Sequence, residues 1–212
     1  MLGRPGISWR IVLAVSLTAS VLPCAVHAAS WSIGAGGGVV GPYVPTEGSN
    51  EFPSIVWMPF ASASRGLNRT LWLRSEVVYF GYSGGHSGHG DTNFQLPPGP
   101  PEVRFLPVAL GVRWQAPPGG SGISPYLEFM PTAFAVRWEQ TTYGSFTRVV
   151  PGFTTGAGFH LHGNDSWSLS YGFQLRHSAQ ILEEWPPGAR EGLDPLTNLS
   201  FTLGVAWRTA AK

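Results

Sequence analysis

The chain has 212 residues, of which 12% are charged and 13% aromatic, with 28 Gly, 19 Pro and a formal net charge of +1. So many aromatics with so little charge exclude intrinsic disorder. The near-neutral balance excludes a nucleic-acid binder, and the Gly and Pro content excludes a long-helix protein. An all-β chain, read as one domain, is what remains.

Residues 1–28 read as a cleaved signal peptide. Arg4 and Arg10 precede an apolar stretch from Ile11 to Leu22, and Val26-His27-Ala28 supplies small residues at the cut. That stretch is too short for a membrane-spanning helix, which needs about 20 apolar residues. The one cysteine, Cys24, lies inside the signal, so the mature domain, 29–212, has no disulfide to hold it.

From there the chain alternates with period two. Segments 31–40 and 53–63 are strand-like. Segment 70–82 sets Leu71, Leu73, Val77 and Tyr79 against Arg74 and Glu76. Segment 102–115 sets Leu106, Val108, Leu110, Val112 and Trp114 against Arg104, Ala109, Gly111 and Arg113. Segment 124–138 is less clean. Segment 146–161 sets Val149, Phe153, Ala157, Phe159 and Leu161 against Arg148, Thr154, Gly156 and Gly158. Segment 166–180 carries Trp167, Leu169, Tyr171, Phe173 and Leu175 on one face, with Ser168, Ser170, Gly172, Gln174 and Arg176 on the other. The last segment repeats the pattern with Leu199, Phe201, Leu203, Val205 and Trp207. Pro59 and Pro131 interrupt their segments and point to bulges or edge irregularities.

A row of large apolar side chains opposite a slim polar row is the signature of a membrane barrel strand. The expected fold is an eight-stranded antiparallel transmembrane β-barrel of the bacterial outer membrane. Connections 64–69, 116–123 and 162–165 are short, whereas 41–52, 83–101 and 181–195 are long, as in outer-membrane barrels with periplasmic turns and extracellular loops. Thr202-x-Gly204-x-x-Trp207 resembles the C-terminal insertion signal of such proteins. Arg74, Glu76, Arg104, Arg113, Glu128, Arg137, Arg148 and Arg176 fall on or near the inward rows and are expected to plug the lumen with ion pairs, against a diffusion pore.

By parity His177 continues the lipid-facing row of segment 166–180, and an ionisable residue there is a candidate site. His86, His89 and Asp91 in the glycine-rich loop have no diagnostic metal spacing, and no metal or cofactor is implied. His160 and His162 read as strand-end residues, and Glu183 and Glu184 as loop residues.

The stretch from Val150 to Trp207, on PGFTTGAGFHLHGNDSWSLSYGFQLRHSAQ and REGLDPLTNLSFTLGVAW, resembles the C-terminal half of the lipid A 3-O-deacylase (acyloxyacyl hydrolase-like) family of outer-membrane barrels. The resemblance implies a Ser–His–acid esterase on the outer wall, releasing an acyl chain from lipid A of the lipopolysaccharide leaflet. His177 matches the family histidine, and Asp194 in Gly192-Leu193-Asp194 matches the acid. A gapless match places Ala179 where the family has serine and Gln180 where it has asparagine. Ser178, one residue away, is the candidate nucleophile, and it reaches the face of His177 only through a β-bulge. The alternative is a non-catalytic small barrel with a structural, adhesion or lipid-binding role that lacks the family nucleophile.

Overall fold

A computed structural model describes residues 30–42, 55–83, 102–140, 144–164, 166–179 and 197–209. The signal segment, the long connections and Asp194 lie outside the described residues. The strands are β1 (Trp31–Pro42), β2 (Val56–Gly66), β3 (Leu71–Val78), β4 (Phe80–Ser83), β5 (Glu102–Gln115), β6 (Ile123–Gln140), β7 (Gly144–His162), β8 (Trp167–Ser178) and β9 (Thr197–Thr209).

β3 and β4 are one stave. Val77 faces Val108 and Phe80 faces Phe105, so the register against β5 runs unchanged across Tyr79. With these two counted together, eight antiparallel staves close into a barrel, each paired with its sequence neighbours and β1 sealed against β9. Each of the eight expected segments corresponds to one stave.

The register also passes through both interrupting prolines. Gly37 faces Pro59 with the pairs on either side in step, and Pro131 faces Phe153 within an unbroken ladder. The bulges expected at Pro59 and Pro131 are therefore absent, and the irregularity takes the other expected form: the β2–β3 ladder stops at Phe60–Val78 and the β5–β6 ladder skips residues 130–131. At Pro131 the missing N–H costs one ladder bond toward β5 without a shift, since Ala109–Thr132 and Val112–Phe129 remain in register on either side.

The short connections are capped by side chains. Asn68 Oδ1 accepts from the backbone N–H groups of Thr70 (2.9 Å) and Leu71 (2.8 Å). Asn164 Oδ1 does the same for Ser166 (2.8 Å) and Trp167 (3.0 Å). Asparagine is suited to such turns because its carbonyl mimics a backbone acceptor. In the third connection Gly122 takes φ 69°, a left-handed conformation that favours glycine. Substituting Asn164→Ala removes two acceptor contacts and should lower stability by about 1 kcal/mol, to be read from urea unfolding of the folded barrel.

Period two then sorts the side chains. Leu127, Phe129, Tyr171, Phe173, Phe201, Leu203 and Trp207 are exposed on the outer wall. Water-soluble surfaces rarely carry a continuous apolar band of that kind, whereas a bilayer requires one. No helix among the described residues is long and apolar enough to cross a membrane.

The interior has two zones. Toward the end that carries the long connections, Val40, Met58, Val78, Phe80, Phe105, Phe134, Val136 and Val150 pack into an apolar core. Phe80 and Phe105 stack there with centroids 5.1 Å apart. Below that plug lies a band of buried charge.

Candidate functional site

Glu76 and Glu128 are the two anions of that band. Arg74 Nη2 donates to Glu76 Oε2 at 2.5 Å, and its Nε is 3.3 Å from Glu128 Oε2 without a well-aligned hydrogen bond. Arg113 grips Glu128 Oε2 through Nε (3.0 Å) and Nη2 (2.6 Å) and lies 3.9 Å over the Tyr126 ring. Arg176 Nη2 donates to Glu76 Oε1 (2.9 Å), and its Nη1 to Ser200 Oγ (2.6 Å). Gln174 bridges both carboxylates, donating to Glu128 Oε1 at 2.7 Å and to Glu76 Oε1 at 3.2 Å. Its own carbonyl oxygen accepts from Arg176.

Three arginines around two glutamates are held within a network from β3, β5, β6, β8 and β9. Buried charges persist only when paired and hydrogen-bonded in this manner. His160 joins from below. Arg113 Nη1 lies 2.8 Å from His160 Nε2, and because a guanidinium only donates, Nε2 is the acceptor and the ring proton sits on Nδ1. A void of about 20 Å³ beside Ser62, Arg74, Arg113 and His160 has room for a single water.

The lumen is thus filled, but not by every charge expected there. Arg74, Glu76, Arg113, Glu128 and Arg176 point inward and are buried. Arg104 and Arg137 do not. They face each other across β5 and β6 on the outward rows, in step with Leu106 and Ala135. Arg148 has inward parity but is exposed. These three stand near the strand ends at the long-connection side, where the wall leaves the apolar band and no longer demands inward charge.

β8 decides the arrangement of the candidate catalytic residues. Phe153 faces His177 and Gly152 faces Ser178, and the ladder continues as Ala179 N–H donates to Pro151 C=O at 2.8 Å. No bulge separates His177 from Ser178, so the bulge that would bring them together is absent. Ser178 lies on the inward row and is fully buried, whereas His177 lies half-buried on the outward row. Asp194 lies outside the described residues.

The hydroxyl that His177 does meet is not evident in the sequence. Its Nδ1 is 2.8 Å from Thr197 Oγ1, directly across the β8–β9 ladder. The Phe153 ring lies against the imidazole at a centroid distance of 5.3 Å. Threonine at the start of β9 carries no motif; only the register of β8 on β9 reveals the pair. His162 at the opposite end bonds Ser124 Oγ at 2.9 Å. Among the described residues no three His, Cys, Asp or Glu side chains converge as a metal site.

No family model and no curated protein matches the chain. Solved structures do match its fold. A major outer membrane protein from Thermus thermophilus aligns with TM-score 0.58 and 15% identity, over 86% of this chain and 100% of that one. Neisserial surface protein A aligns with TM-score 0.54 and 14% identity, over 85% and 97% of the two chains. The attachment invasion locus protein Ail of Yersinia pestis, solved with the heparin analogue sucrose octasulfate, aligns with TM-score 0.53 and 10% identity, over 85% and 99%. At such identities the likeness is one of fold.

Proposed function

We propose that this outer-membrane β-barrel is non-catalytic and works through its outer wall, as a structural or lipid-binding protein of the outer membrane. One observation carries the reading: His177 and Ser178 stand on opposite faces of a regular strand, so the base has no serine to activate. The filled lumen supports it, because neither solute nor substrate finds a passage there.

A second reading, an esterase on lipid A, is favoured by the Thr197 hydroxyl at 2.8 Å from His177 on the lipid-facing side. A His–hydroxyl pair is the minimum of a nucleophilic site, and it still needs an orienting acid and an oxyanion donor. Mass spectrometry of lipid A separates the two. Cells expressing the chain, His177→Ala or Thr197→Val are expected to yield the same lipid A as cells with an empty vector. Loss of one acyl chain with the unaltered protein, abolished in either variant, would establish the esterase instead.

A further inference from the structure

The outer wall is not evenly convex. Gly36, Gly38, Gly158, Gly172 and Gly204 occupy inward positions of β1, β7, β8 and β9, and a Cβ on most of them would collide with neighbouring backbone or with the Tyr126 and Phe60 side chains. The wall is drawn in over them. On its outer side this leaves an apolar groove of about 840 Å³, floored by Ala35 and walled by Trp57, Tyr171, Phe173 and Phe201. Trp57 lies across Gly37 and closes one edge.

His177 and Thr197 sit on the same two outward rows as Phe173 and Phe201, at the long-connection end. From Phe173 to His177 is four residues, or about 13 Å along a strand and about 10 Å in depth at the tilt of a barrel strand. One leaflet's hydrocarbon is about 15 Å deep, half of the bilayer core. A lipid whose polar part rests at the His177–Thr197 pair therefore has its chain at the depth of the groove.

We infer that the groove holds one acyl chain of a glycerophospholipid, with the His177–Thr197 pair bonding its ester or phosphate oxygens. The assignment rests on the outer-wall reading above. A thin, flexible chain fits a recess bounded by Trp57 and Tyr171, whereas the convex wall of a second barrel meets such a recess only along its rims. On the outward rows of β8 and β9, His177 and Thr197 form a single polar pair at the long-connection end. That suits a headgroup with one phosphate better than lipid A with two.

The test uses the purified full barrel in phosphatidylethanolamine vesicles containing a phosphatidylethanolamine with a diazirine midway along one chain. After illumination, peptide mapping is expected to place label on Ala35, Phe173 and Phe201 at least tenfold above Leu110 and Val112 on β5. Ala35→Trp fills the groove and should reduce that label about tenfold; Ala157→Trp, on its far side, gives the same readout from an independent position. His177→Ala should reduce it severalfold while leaving heat-modifiable gel mobility unchanged.

Even labelling around the wall of the unaltered protein would overturn the inference. So would label indifferent to both tryptophans, displacement by lipid A at equal concentration, or chain-to-chain cross-links through the groove. The mass of the recovered lipid is read in parallel. A lipid shortened by one chain while the groove is labelled sinks the non-catalytic reading and leaves the groove assignment standing.

Discussion

Glu128→Ala is expected to destabilise the barrel by about 3–5 kcal/mol, the cost of breaking a buried ion pair by removing one partner. Glu128 receives both donors of the Arg113 fork, the amide of Gln174 and the nearby charge of Arg74. Its removal leaves Arg74, Arg113 and Arg176 in a closed interior with Glu76 alone. Glu128→Gln keeps the volume and one acceptor, so it should lie between the two. Urea unfolding in detergent, followed by tryptophan fluorescence and gel mobility, measures the differences. A loss below about 1 kcal/mol for Glu128→Ala would mean that water reaches the network, since exposed ion pairs are worth that little.

The second large effect comes from the opposite face. Phe201 is 64% exposed on the outer wall, between Val39 and Phe173 in the ladder. Phe201→Arg places a guanidinium near the middle of the hydrocarbon and should cost about 2–4 kcal/mol in a bilayer, by the depth-dependent penalty for lipid-facing charge. Its neighbour Ser200 is fully buried in the lumen and accepts from Arg176. The two adjacent positions thus separate the faces. A membrane-thickness series sharpens the measurement, because only the Phe201 variant should respond to lipid chain length. A Phe201→Arg barrel as stable in vesicles as the unaltered one would remove Phe201 from the lipid-facing wall.

Residues on these two faces also mark what is readable from the chain. Parity along β8 and β9 places Phe201 outward and Arg176 inward, because a period of two needs no tertiary information. Parity becomes ambiguous where both faces have the same polarity. Met58, Phe60, Phe134 and Val136 are apolar inside the barrel, opposite an apolar wall, so segments 53–63 and 124–138 lose their alternation and the plug stays hidden. At the rims the reverse holds. Arg104 and Arg137 sit on outward rows that have left the apolar band, and charge there reveals nothing about direction.

His177 can be placed on its face by counting along one strand, and its partner cannot. Thr197 lies 20 residues away, beyond a long connection whose length does not set the β8–β9 register. The residue beside His177 in sequence is separated from it by the thickness of the wall. A motif read linearly favours Ser178; a sheet makes contacts sideways.

The division of the lumen into an apolar plug above a band of mutually bonded charges has an electrical meaning. An ion entering from the long-connection end meets Phe80, Phe105 and Phe134 before any group able to replace its hydration shell. From the other end it meets guanidinium and carboxylate groups already committed to one another. The barrel is in that sense an insulator. Among the described residues, the staves thus leave an ion no open path through the lumen.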